Sequence, residues 1–275
     1  MGLVASNLAL ALVAGGTGAA LIGFIDDIRH LPARWKFLAQ GILATLILVC
    51  IGGQPFLHVS QGVSLVDLIL SWLGLVWLMN AYNFVDGIDA LAATGAVFIS
   101  SASVLLILFA SLETQASDPG LALVLGLLAA SNLAFLGFNW PAASVFMGDS
   151  GSLFLGFAFA SLMADTVVTG RMTIWTWSIL LGYFLGDTTT TTIVRLYMTP
   201  KWYGEHRSHA YQNVARMFDS HLAVVLGVLA YSIFWLLPLA LWSTLSPSTA
   251  PVASLLALTP VVVWTLRYGP LRSSV

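Results

Sequence analysis

Nine apolar segments of roughly membrane-spanning length constrain the fold of this chain more than any other feature. An α-helix needs about 20 apolar residues to cross the hydrocarbon core of a bilayer, with a range of about 17–25. By hydropathy the segments are Leu3–Ile25, Phe37–Ile51, Val63–Met79, Leu91–Ala110, Leu121–Phe138, Ser152–Val168, Met172–Leu185, Leu222–Leu241 and Pro251–Leu266. We therefore predict one all-α, polytopic membrane domain over residues 1–275, with about nine transmembrane helices. The seventh segment is short, and we expect its helix to continue to Arg195.

The composition excludes several other classes of protein. The chain of 275 residues is 59% hydrophobic and only 8% charged, whereas soluble domains carry about 25% charged residues. Its net charge of −2 gives no reason to expect a nucleic-acid partner. The single cysteine, Cys50, cannot form an internal disulfide.

The basic residues are distributed unequally between the two sides that nine spans define. Nine of the 10 Lys and Arg residues fall on one side, and only Arg171 falls on the other. The first side comprises the loops 26–36, 80–90, 139–151 and 187–221 and the tail 267–275. Because Lys and Arg accumulate in cytoplasmic loops, we predict that this side faces the cytoplasm. Four acids fall on the second side, where we interpret them as solvated: Asp67, Glu113, Asp118 and Asp165.

Five polar clusters fall on the predicted cytoplasmic side, each near the end of an apolar segment. They are Asp26-Asp27, the stretch Asn80 to Asp89, Asp149, Asp187, and the loop 205–209. The bilayer core penalises ionised side chains, so repeated carboxylates at helix ends indicate a functional site.

Asp26 and Asp27 end the first apolar segment. Two adjacent carboxylates at a helix end do not face the same way. One is suited to bind a metal or substrate while the other holds it in place or acts as a base. The alternative is an ordinary membrane–water boundary, where Asp is tolerated.

The second cluster has a regular spacing. Asn80, Asn83, Asp86 and Asp89 recur every three residues, which on a helix places them along one polar stripe. Gly87 interrupts that helix and would let the backbone approach a ligand closely. Amides and carboxylates together suit a polar heterocycle or sugar, with a solvated loop as the alternative.

Asp149 lies between glycines and hydroxyl residues, directly before a new helix. Backbone N–H groups at a helix start favour an anion such as phosphate. A carboxylate there is suited to Mg²⁺, which binds few carboxylates together with substrate phosphate oxygens. The alternative is a simple N-cap with turn glycines.

The loop that contains His206, Arg207 and His209 supplies cations and hydrogen-bond donors. Arg207 is suited to bidentate binding of phosphate. The two histidines have no nearby Cys or further His to complete a zinc site. A purely topogenic basic loop is the alternative. Together the five clusters favour Mg²⁺-dependent phosphoryl transfer onto a lipid carrier.

In this order the motifs resemble the polyprenyl-phosphate N-acetylhexosamine-1-phosphate transferases, glycosyltransferase family 4. That family includes enzymes that start O-antigen, enterobacterial common antigen, teichoic acid and peptidoglycan lipid intermediates. The resemblance rests on Asp26-Asp27, residues 80–91, residues 146–156, Asp187 with Arg195, and residues 205–212. The last of these, Glu-His-Arg-Ser-His-Ala-Tyr-Gln, resembles the branch that initiates O-antigen with N-acetylated amino or deoxyamino sugars.

The resemblance implies a role for each predicted site residue. Asp149 would bind Mg²⁺, and Asp26 and Asp27 would serve the lipid phosphate or the metal, one of them as general base. The uridine pocket would be formed by Asn83, Asp86, Asp89 and Phe146, with Phe146 stacking on the uracil and Asn80 on the same stripe. The groups that close over the diphosphate and sugar would be Asp187, His206, Arg207 and His209, and Arg195 would be a further substrate-binding residue.

The resemblance also implies the reaction and its partners. A sugar-1-phosphate would pass from a UDP-N-acetylhexosamine, or a deoxy derivative, to undecaprenyl phosphate, with release of UMP. The expected cofactor is Mg²⁺, with Mn²⁺ as an alternative. The expected location is the bacterial inner membrane with the site facing the cytoplasm, in contact with membrane lipid and as a monomer or homodimer.

Two departures from the family pattern set further expectations. Family members usually carry Gly where this chain has Ala90. They also carry about two more N-terminal helices and a Gly-rich loop, so we expect a misassigned start or a truncation with weak or absent activity.

Three competing interpretations of the function are an inactive relative, a membrane transporter and a CDP-alcohol phosphotransferase. Transporters place polar groups near the midplane of the bilayer, often in repeated halves. The acids of this chain lie at helix ends on one side, without a repeat, which argues against a transporter. The spacing of the acids around Asp86 argues against the phosphotransferase.

Overall fold

A computed structural model describes residues 6–57, 64–114, 118–200 and 207–271. Regular structure within these ranges is entirely helical. The helices are α1 (Ser6–Leu10), α2 (Gly16–Arg29), α3 (Ala33–Cys50), α4 (Leu65–Val85), α5 (Leu91–Thr114), α6 (Pro119–Asn139), α7 (Gly148–Val168), α8 (Ile174–Leu180), α9 (Gly182–Met198), α10 (Ala210–Phe218), α11 (His221–Tyr231), α12 (Leu237–Leu245) and α13 (Ala250–Tyr268). One-turn π-helices join α1 to α2 and α11 to α12, so each pair forms one continuous helical segment.

Eight helical segments of the described chain are long and apolar enough to cross a membrane. They correspond to the predicted spans, with the exception of the seventh. That segment forms two helices that meet at Leu181: α8 has only 7 residues, and α9, with 17 residues, carries Asp187 and Arg195. Helix α9 runs to Met198, which confirms the predicted continuation past Arg195. The all-α polytopic membrane fold is confirmed, and its seventh segment is a broken helix.

Helix α7 is the central element of the described bundle and is buried along most of its length. It packs against α2 and α4. The contact with α2 is very close, because a Cβ atom added to Gly23 would lie 2.2 Å from the carbonyl oxygen of Asp149. Small residues matter at such contacts, since helices in a bilayer are held by close packing rather than by hydrophobic exclusion from lipid. Gly23 therefore brings the end of α2 against the beginning of α7.

The opposite end of the bundle contains its own polar contacts. The hydroxyl of Ser71 accepts hydrogen bonds from the backbone amides of Phe56 and Leu57, at 3.1 and 3.0 Å. Arg171 forms ion pairs with Asp118 at 2.8 Å and with Asp165 at 3.2 Å. The interpretation of these two acids as merely solvated is therefore wrong. Both neutralise the one basic residue on this side of the chain, because a cation near the bilayer needs a partner.

Substitution of Gly23 by Ala should destabilise the protein. The added methyl group meets the α7 backbone, and forced overpacking costs about 1–3 kcal/mol. This corresponds to a melting temperature lowered by several degrees, measured on detergent-purified protein. The matched control is Gly137→Ala in α6, where a Cβ atom meets nothing within 4 Å. Equal melting temperatures for the two variants would contradict the packing described.

Candidate active site

The carboxylates of Asp26 and Asp27 point to different partners, as the sequence predicts. Asp26 is 5% exposed, accepts a hydrogen bond from the amide of Leu31 at 2.7 Å, and forms an ion pair with Lys36. Asp27 is exposed and points to the start of α7. The two side chains therefore have separate functions within one helix end.

Asp27 occupies the N-terminus of α7. Its Oδ1 accepts from the amide of Asp149 at 2.8 Å, and its Oδ2 accepts from the amide of Ser150 at 3.1 Å. These amides are otherwise unsatisfied within the helix, and the positive end of the helix dipole favours an anion there. The prediction that this helix start binds phosphate needs correction, since the anion at its first amides is Asp27.

Three charged side chains converge beside this contact. The carboxylates of Asp26 and Asp149 lie within hydrogen-bonding reach of each other. Lys36, from the first turn of α3, pairs with Asp26 and lies 3.7 Å from Asp149 Oδ2. Two acids at such a short distance require a cation, and the lysine supplies one positive charge. In the sequence Lys36 is only one of the basic residues that predict the cytoplasmic side. Its position ten residues after Asp26 did not indicate that the two side chains would form an ion pair.

The predicted polar stripe of four residues is only partly present. Helix α4 ends at Val85, so Asp86 and Asp89 lie in the turn beyond it. The two amides on the helix bind different partners. Asn83 donates to Asp149 Oδ1 and to the hydroxyl of Ser152, both at 2.8 Å.

Asn80 lies deeper and pairs with a second amide. Its Nδ2 donates to Gln40 Oε1 at 2.7 Å, and Gln40 Nε2 donates back at 3.3 Å. This pair joins α3 to α4. Asn80 Nδ2 also donates to the carbonyl of Val76, so both of its N–H groups are already used within the protein. In this structure Asn80 therefore joins helices and does not offer a donor to the predicted substrate.

The turn that follows α4 packs against helix α10. A Cβ atom on Gly87 would lie 2.2 Å from the hydroxyl oxygen of Tyr211, which itself donates to the carbonyl of Phe84 at 2.7 Å. The close approach predicted at Gly87 therefore exists, but it is made to α10 and not to a ligand. Tyr211 belongs to the 205–212 motif, but the sequence did not predict this contact, because only the fold brings α10 to this turn.

Asp86 lies in the same turn and is half-buried. Burial, followed by the nearby carboxylates of Asp149 and Asp27, raises the pKa of Asp86 to about 7. A raised carboxyl pKa in a cluster of acids indicates a place where added positive charge would be stabilising.

Asp89 and Phe146 belong to two loops that hydrogen-bond to one another. Asp89 Oδ2 accepts from the amide of Ala143 at 3.2 Å. Asn139 accepts from the amide of Ala90 at 2.9 Å and donates to the carbonyl of Val145 at 2.8 Å. Phe146 is 72% exposed at the end of this loop. Asn139 was also missed, because it reads in the sequence as the end of an apolar helix.

Ala90 has a left-handed backbone conformation with φ of 63°. Side chains with a Cβ atom tolerate this region poorly, and glycine adopts it freely. The geometry therefore explains why Gly suits this position in the resembling family. In this chain the alanine is held in place by the bond from its amide to Asn139.

Asp187 and His209 form a buried tether. Asp187 is fully buried, and its Oδ2 lies 3.0 Å from His209 Nδ1. Its Oδ1 accepts from the amide of Ala210 at 3.2 Å and from the hydroxyl of Thr265 at 2.9 Å. The prediction that these two side chains close directly over the diphosphate needs correction. Both are enclosed by protein, and they fix the start of α10 to α9 and α13.

The remaining predicted residues lie around this tether. Arg195 is half-buried on α9, two turns after Asp187, and Arg207 is exposed before α10. His206 lies outside the described residues. The structure therefore groups Asp26, Asp27, Asn83, Asp86 and Asp149 in one cluster and separates the tether from it.

The donor set at this cluster fits Mg²⁺. No group of three His, Cys, Asp or Glu side chains suited to a metal occurs in the described parts of the chain. Mg²⁺ in proteins is usually bound through one or two carboxylates, with waters and phosphate oxygens completing the shell. The converging oxygens of Asp26 and Asp149 meet that need. Asp27 fits less well than predicted, because both of its oxygens already accept backbone N–H groups.

Comparison with known proteins identifies the family. The model of glycosyl transferase family 4 matches residues 9–167, more than half of the chain and all of the acid cluster. The chain belongs to this family. It is 30% identical over 228 residues to a probable undecaprenyl-phosphate N-acetylglucosaminyl 1-phosphate transferase of Bacillus subtilis strain 168, covering 79% of this chain and 61% of that protein. It is 32% identical over 257 residues to a phospho-N-acetylmuramoyl-pentapeptide-transferase of Desulforamulus reducens, covering 82% and 74%.

The chain thus spans about three fifths of the length of the Bacillus relative and about three quarters of the Desulforamulus relative. The resemblance inferred from the motifs is confirmed at the level of the family.

The raised pKa of Asp86 predicts a pH-dependent stability in the absence of divalent cations. The folded protein keeps the Asp86 proton up to about pH 7, whereas the ordinary pKa is 3.8. Between about pH 4 and pH 7 the unfolded chain therefore binds fewer protons than the folded protein. The free energy of unfolding consequently decreases as the pH rises through this window, and the Asp86 contribution to stability is lost. Asp86→Asn should reduce the fall in melting temperature between pH 5 and pH 8, measured in EDTA. The control Asp219→Asn removes an exposed acid and should leave the fall unchanged. An unchanged pH dependence in Asp86→Asn would contradict the shift.

Proposed function

We propose that this protein transfers an N-acetylated amino- or deoxyaminosugar-1-phosphate from a UDP-sugar to undecaprenyl phosphate. The observation that carries the proposal is the convergence of Asp26, Asp149 and Lys36 at one end of a membrane-spanning bundle. A lipid phosphate lies at the depth of such helix ends, while its chain stays in the bilayer. The names of the two relatives support the same class of reaction.

The proposed chemistry is a displacement at phosphorus. An oxygen of the lipid phosphate attacks the sugar-bearing phosphorus of the UDP-sugar, and the bond from that phosphorus to the bridging oxygen breaks. UMP leaves with the bridging oxygen, and the sugar is left on a lipid diphosphate. The protein has to bring two phosphate groups together, so positioning and neutralisation of charge supply most of the catalysis.

Each residue of the acid cluster has a separate role in the proposed reaction. Asp149 and Asp26 are the residues that would hold Mg²⁺, which would supply neutralisation of the diphosphate charge, and Mn²⁺ would fit the same ligands. Lys36 holds the two carboxylates together and offers a cation to phosphate. Asn83 fixes Asp149 through a hydrogen bond to Oδ1, which leaves Oδ2 directed towards Lys36. Asp27 accepts a hydrogen bond from the first turn of α7, so its proposed role is to hold the backbone that carries Asp149 in place.

The proposed nucleotide end of the site is the pair Asp89 and Phe146. An exposed aromatic ring, on a loop whose Ala143 amide holds the carboxylate of Asp89, suits a flat heterocycle that can stack and donate a hydrogen bond. We place the site on the cytoplasmic side of the bacterial inner membrane. The support is the nine-to-one distribution of Lys and Arg between the two sides. The loop at 205–212 supports initiation of O-antigen or a related cell-envelope glycan as the pathway.

The direct test is release of UMP. Membranes that contain the protein are incubated with Mg²⁺, undecaprenyl phosphate and a panel of UDP-N-acetylhexosamines, including a UDP-linked N-acetylmuramoyl-pentapeptide. We expect UMP and a lipid-linked sugar diphosphate from at least one N-acetylhexosamine donor. UMP from the pentapeptide donor alone would instead assign the chain to the reaction named for the Desulforamulus relative. If no donor released UMP above the background level, the proposed transferase activity would be contradicted.

Asp149→Asn should abolish Mg²⁺-dependent turnover. The change removes one negative charge from the proposed metal site and leaves the α7 backbone free to bond Asp27. Loss of one electrostatic group of this kind lowers kcat by about 100-fold or more. The control Asp219→Asn removes an exposed acid outside the cluster and should keep full activity. Near-normal turnover in Asp149→Asn, with the same Mg²⁺ requirement as the unsubstituted protein, would exclude Asp149 from the metal site.

A further inference from the structure

We propose that a cavity between α9, α10, α11 and α13 binds one acyl chain of an anionic phospholipid, whose phosphate group pairs with Arg267. The cavity has a volume of about 360 Å³ and is lined mainly by apolar side chains of these four helices. An apolar cavity of about 150 Å³ is already large enough to bind a molecule such as benzene. The space therefore accommodates part of a lipid chain, and its occupation is independent of the proposed transferase reaction.

Two small residues leave the cavity open on the side of α11. Ala223 and Gly227 both line it, are one helical turn apart, and are exposed. A Cβ atom added to Gly227 would meet nothing within 4 Å. Because α11 begins a segment that is long and apolar enough to cross a membrane, this opening faces hydrocarbon. The molecules that can enter it are therefore lipids of the bilayer.

Hydrogen bonds around Pro260 bound the cavity at its deeper end. A proline inside a helix leaves the carbonyl four residues earlier without its usual donor. Here that carbonyl, of Leu256, accepts from Trp235 Nε1 at 3.2 Å. The hydroxyl of Tyr231 donates to the next carbonyl, of Ala257. These contacts fix α13 to the α11–α12 segment, so the gap beside them belongs to the fold.

Helix α10 contributes the wall at the end of the bundle that carries the acid cluster. Val214 of α10 lines the cavity. The neighbouring Asn213 fixes α10 to α13, because its Nδ2 donates to the carbonyls of Tyr268 and Gly269 at 2.7 and 3.1 Å. The cavity therefore lies in the leaflet nearest the acid cluster. A lipid of that leaflet can insert its chain here while its headgroup stays at the membrane surface.

One polar group at the cavity lacks a partner. Tyr183 lines the cavity and is 3% exposed, and its hydroxyl oxygen has no hydrogen-bond partner in the described ranges of the chain. Leaving a buried hydroxyl unsatisfied is costly. The ester oxygens of a phospholipid are acceptors that such a hydroxyl can use, whereas a plain hydrocarbon offers none. The ligand class favoured by this side chain is therefore an acyl ester.

Arg267 indicates the charge of the headgroup. Trp264 lines the cavity, and Arg267 follows it by three residues on α13, so the two side chains are neighbours on the helix surface. Arg267 is exposed, and its guanidinium lies 5.4 Å from the ring centroid of Tyr268. Tryptophan and arginine at a membrane boundary are typical of contacts with lipid headgroups. The basic side chain favours an anionic phospholipid over a neutral one.

The cavity is built from other helices than the proposed substrate site. The acid cluster is formed by α2, α3, α4 and α7, with Lys36 as its cation. The cavity is formed by α9, α10, α11 and α13, with Arg267 at its end. A lipid in the cavity would thus place its phosphate at Arg267 and not at Asp149, so we assign the cavity to a bilayer phospholipid and not to undecaprenyl phosphate.

The test measures binding of phosphatidylglycerol to the purified full chain in detergent, by native mass spectrometry and by melting temperature. We expect one tightly bound lipid and a melting temperature that rises with its concentration. Gly227→Leu fills the cavity and should raise the Kd about tenfold or more, because displacement of two methylene groups already corresponds to such a change. Gly126→Leu on α6 is the matched control. A Cβ atom there also meets nothing within 4 Å, and the residue lies outside the cavity.

Arg267→Gln tests the headgroup contact. The exposed side chain can be replaced without disturbing the packing, so this variant remains informative if Gly227→Leu does not fold. Loss of one basic residue near the membrane surface should weaken phosphatidylglycerol binding about fivefold. The preference for phosphatidylglycerol over phosphatidylcholine should disappear in the same variant.

Four outcomes would overturn the proposal. They are unchanged binding in Gly227→Leu, an equal loss in Gly126→Leu, an unchanged lipid preference in Arg267→Gln, and displacement of phosphatidylglycerol by an equal concentration of undecaprenyl phosphate. The last result would assign the cavity to the lipid substrate. Failure of the proposed transferase would look different, because phosphatidylglycerol would still bind while no UMP was released.

Discussion

The carboxylate of Asp27 accepts hydrogen bonds from the amides of Asp149 and Ser150 in the first turn of α7, and the rest of the site depends on this contact. It joins two helix ends that are 122 residues apart in the sequence. Gly23 permits it by letting the backbones of α2 and α7 meet. Because the start of α7 is held there, the side chain of Asp149 lies beside Asp26, and the two acids can share one cation.

A low-polarity environment explains why so many partners surround these acids. An uncompensated carboxylate at a membrane boundary is costly, so most of these acids are hydrogen-bonded or paired. Lys36 compensates Asp26 and Asp149, and Asn83 satisfies one oxygen of Asp149. Asp86 is the least compensated, and burial, followed by the nearby carboxylates of Asp149 and Asp27, raises its pKa. A substrate diphosphate with its divalent cation suits a cluster with this imbalance.

The C-terminal helices act on the cluster from outside the region that matches the family model. Asp187 fixes the start of α10 through His209 and Ala210. Tyr211 then donates a hydrogen bond to the carbonyl of Phe84 at the end of α4. These contacts connect a buried tether to the turn that carries Asp86 and Asp89. A residue such as Asp187 can therefore be important for activity while it touches no substrate.

The sequence by itself determined the fold class, the helix order and the clustering of the acids at one end of the bundle. Hydropathy and the distribution of Lys and Arg carry that information locally, because the bilayer requires apolar spans of nearly fixed length. The Asp149 cluster was predictable for the same reason, since charged residues at helix ends are conspicuous in an apolar chain. The break at Leu181 was not, because the short apolar run from Met172 to Leu185 reads as one span.

Only the tertiary structure decided which partner each polar side chain has. It assigned Asp27 to the amides of α7, Asn80 to Gln40, and Asp187 to His209. It also brought Lys36 and His221, which have no motif of their own, to Asp149 and Asp89. Partners of this kind come from distant helices, and their pairing depends on how the helices pack. A carboxylate that is conspicuous in the sequence can thus bind a metal, cap a helix or hold a loop.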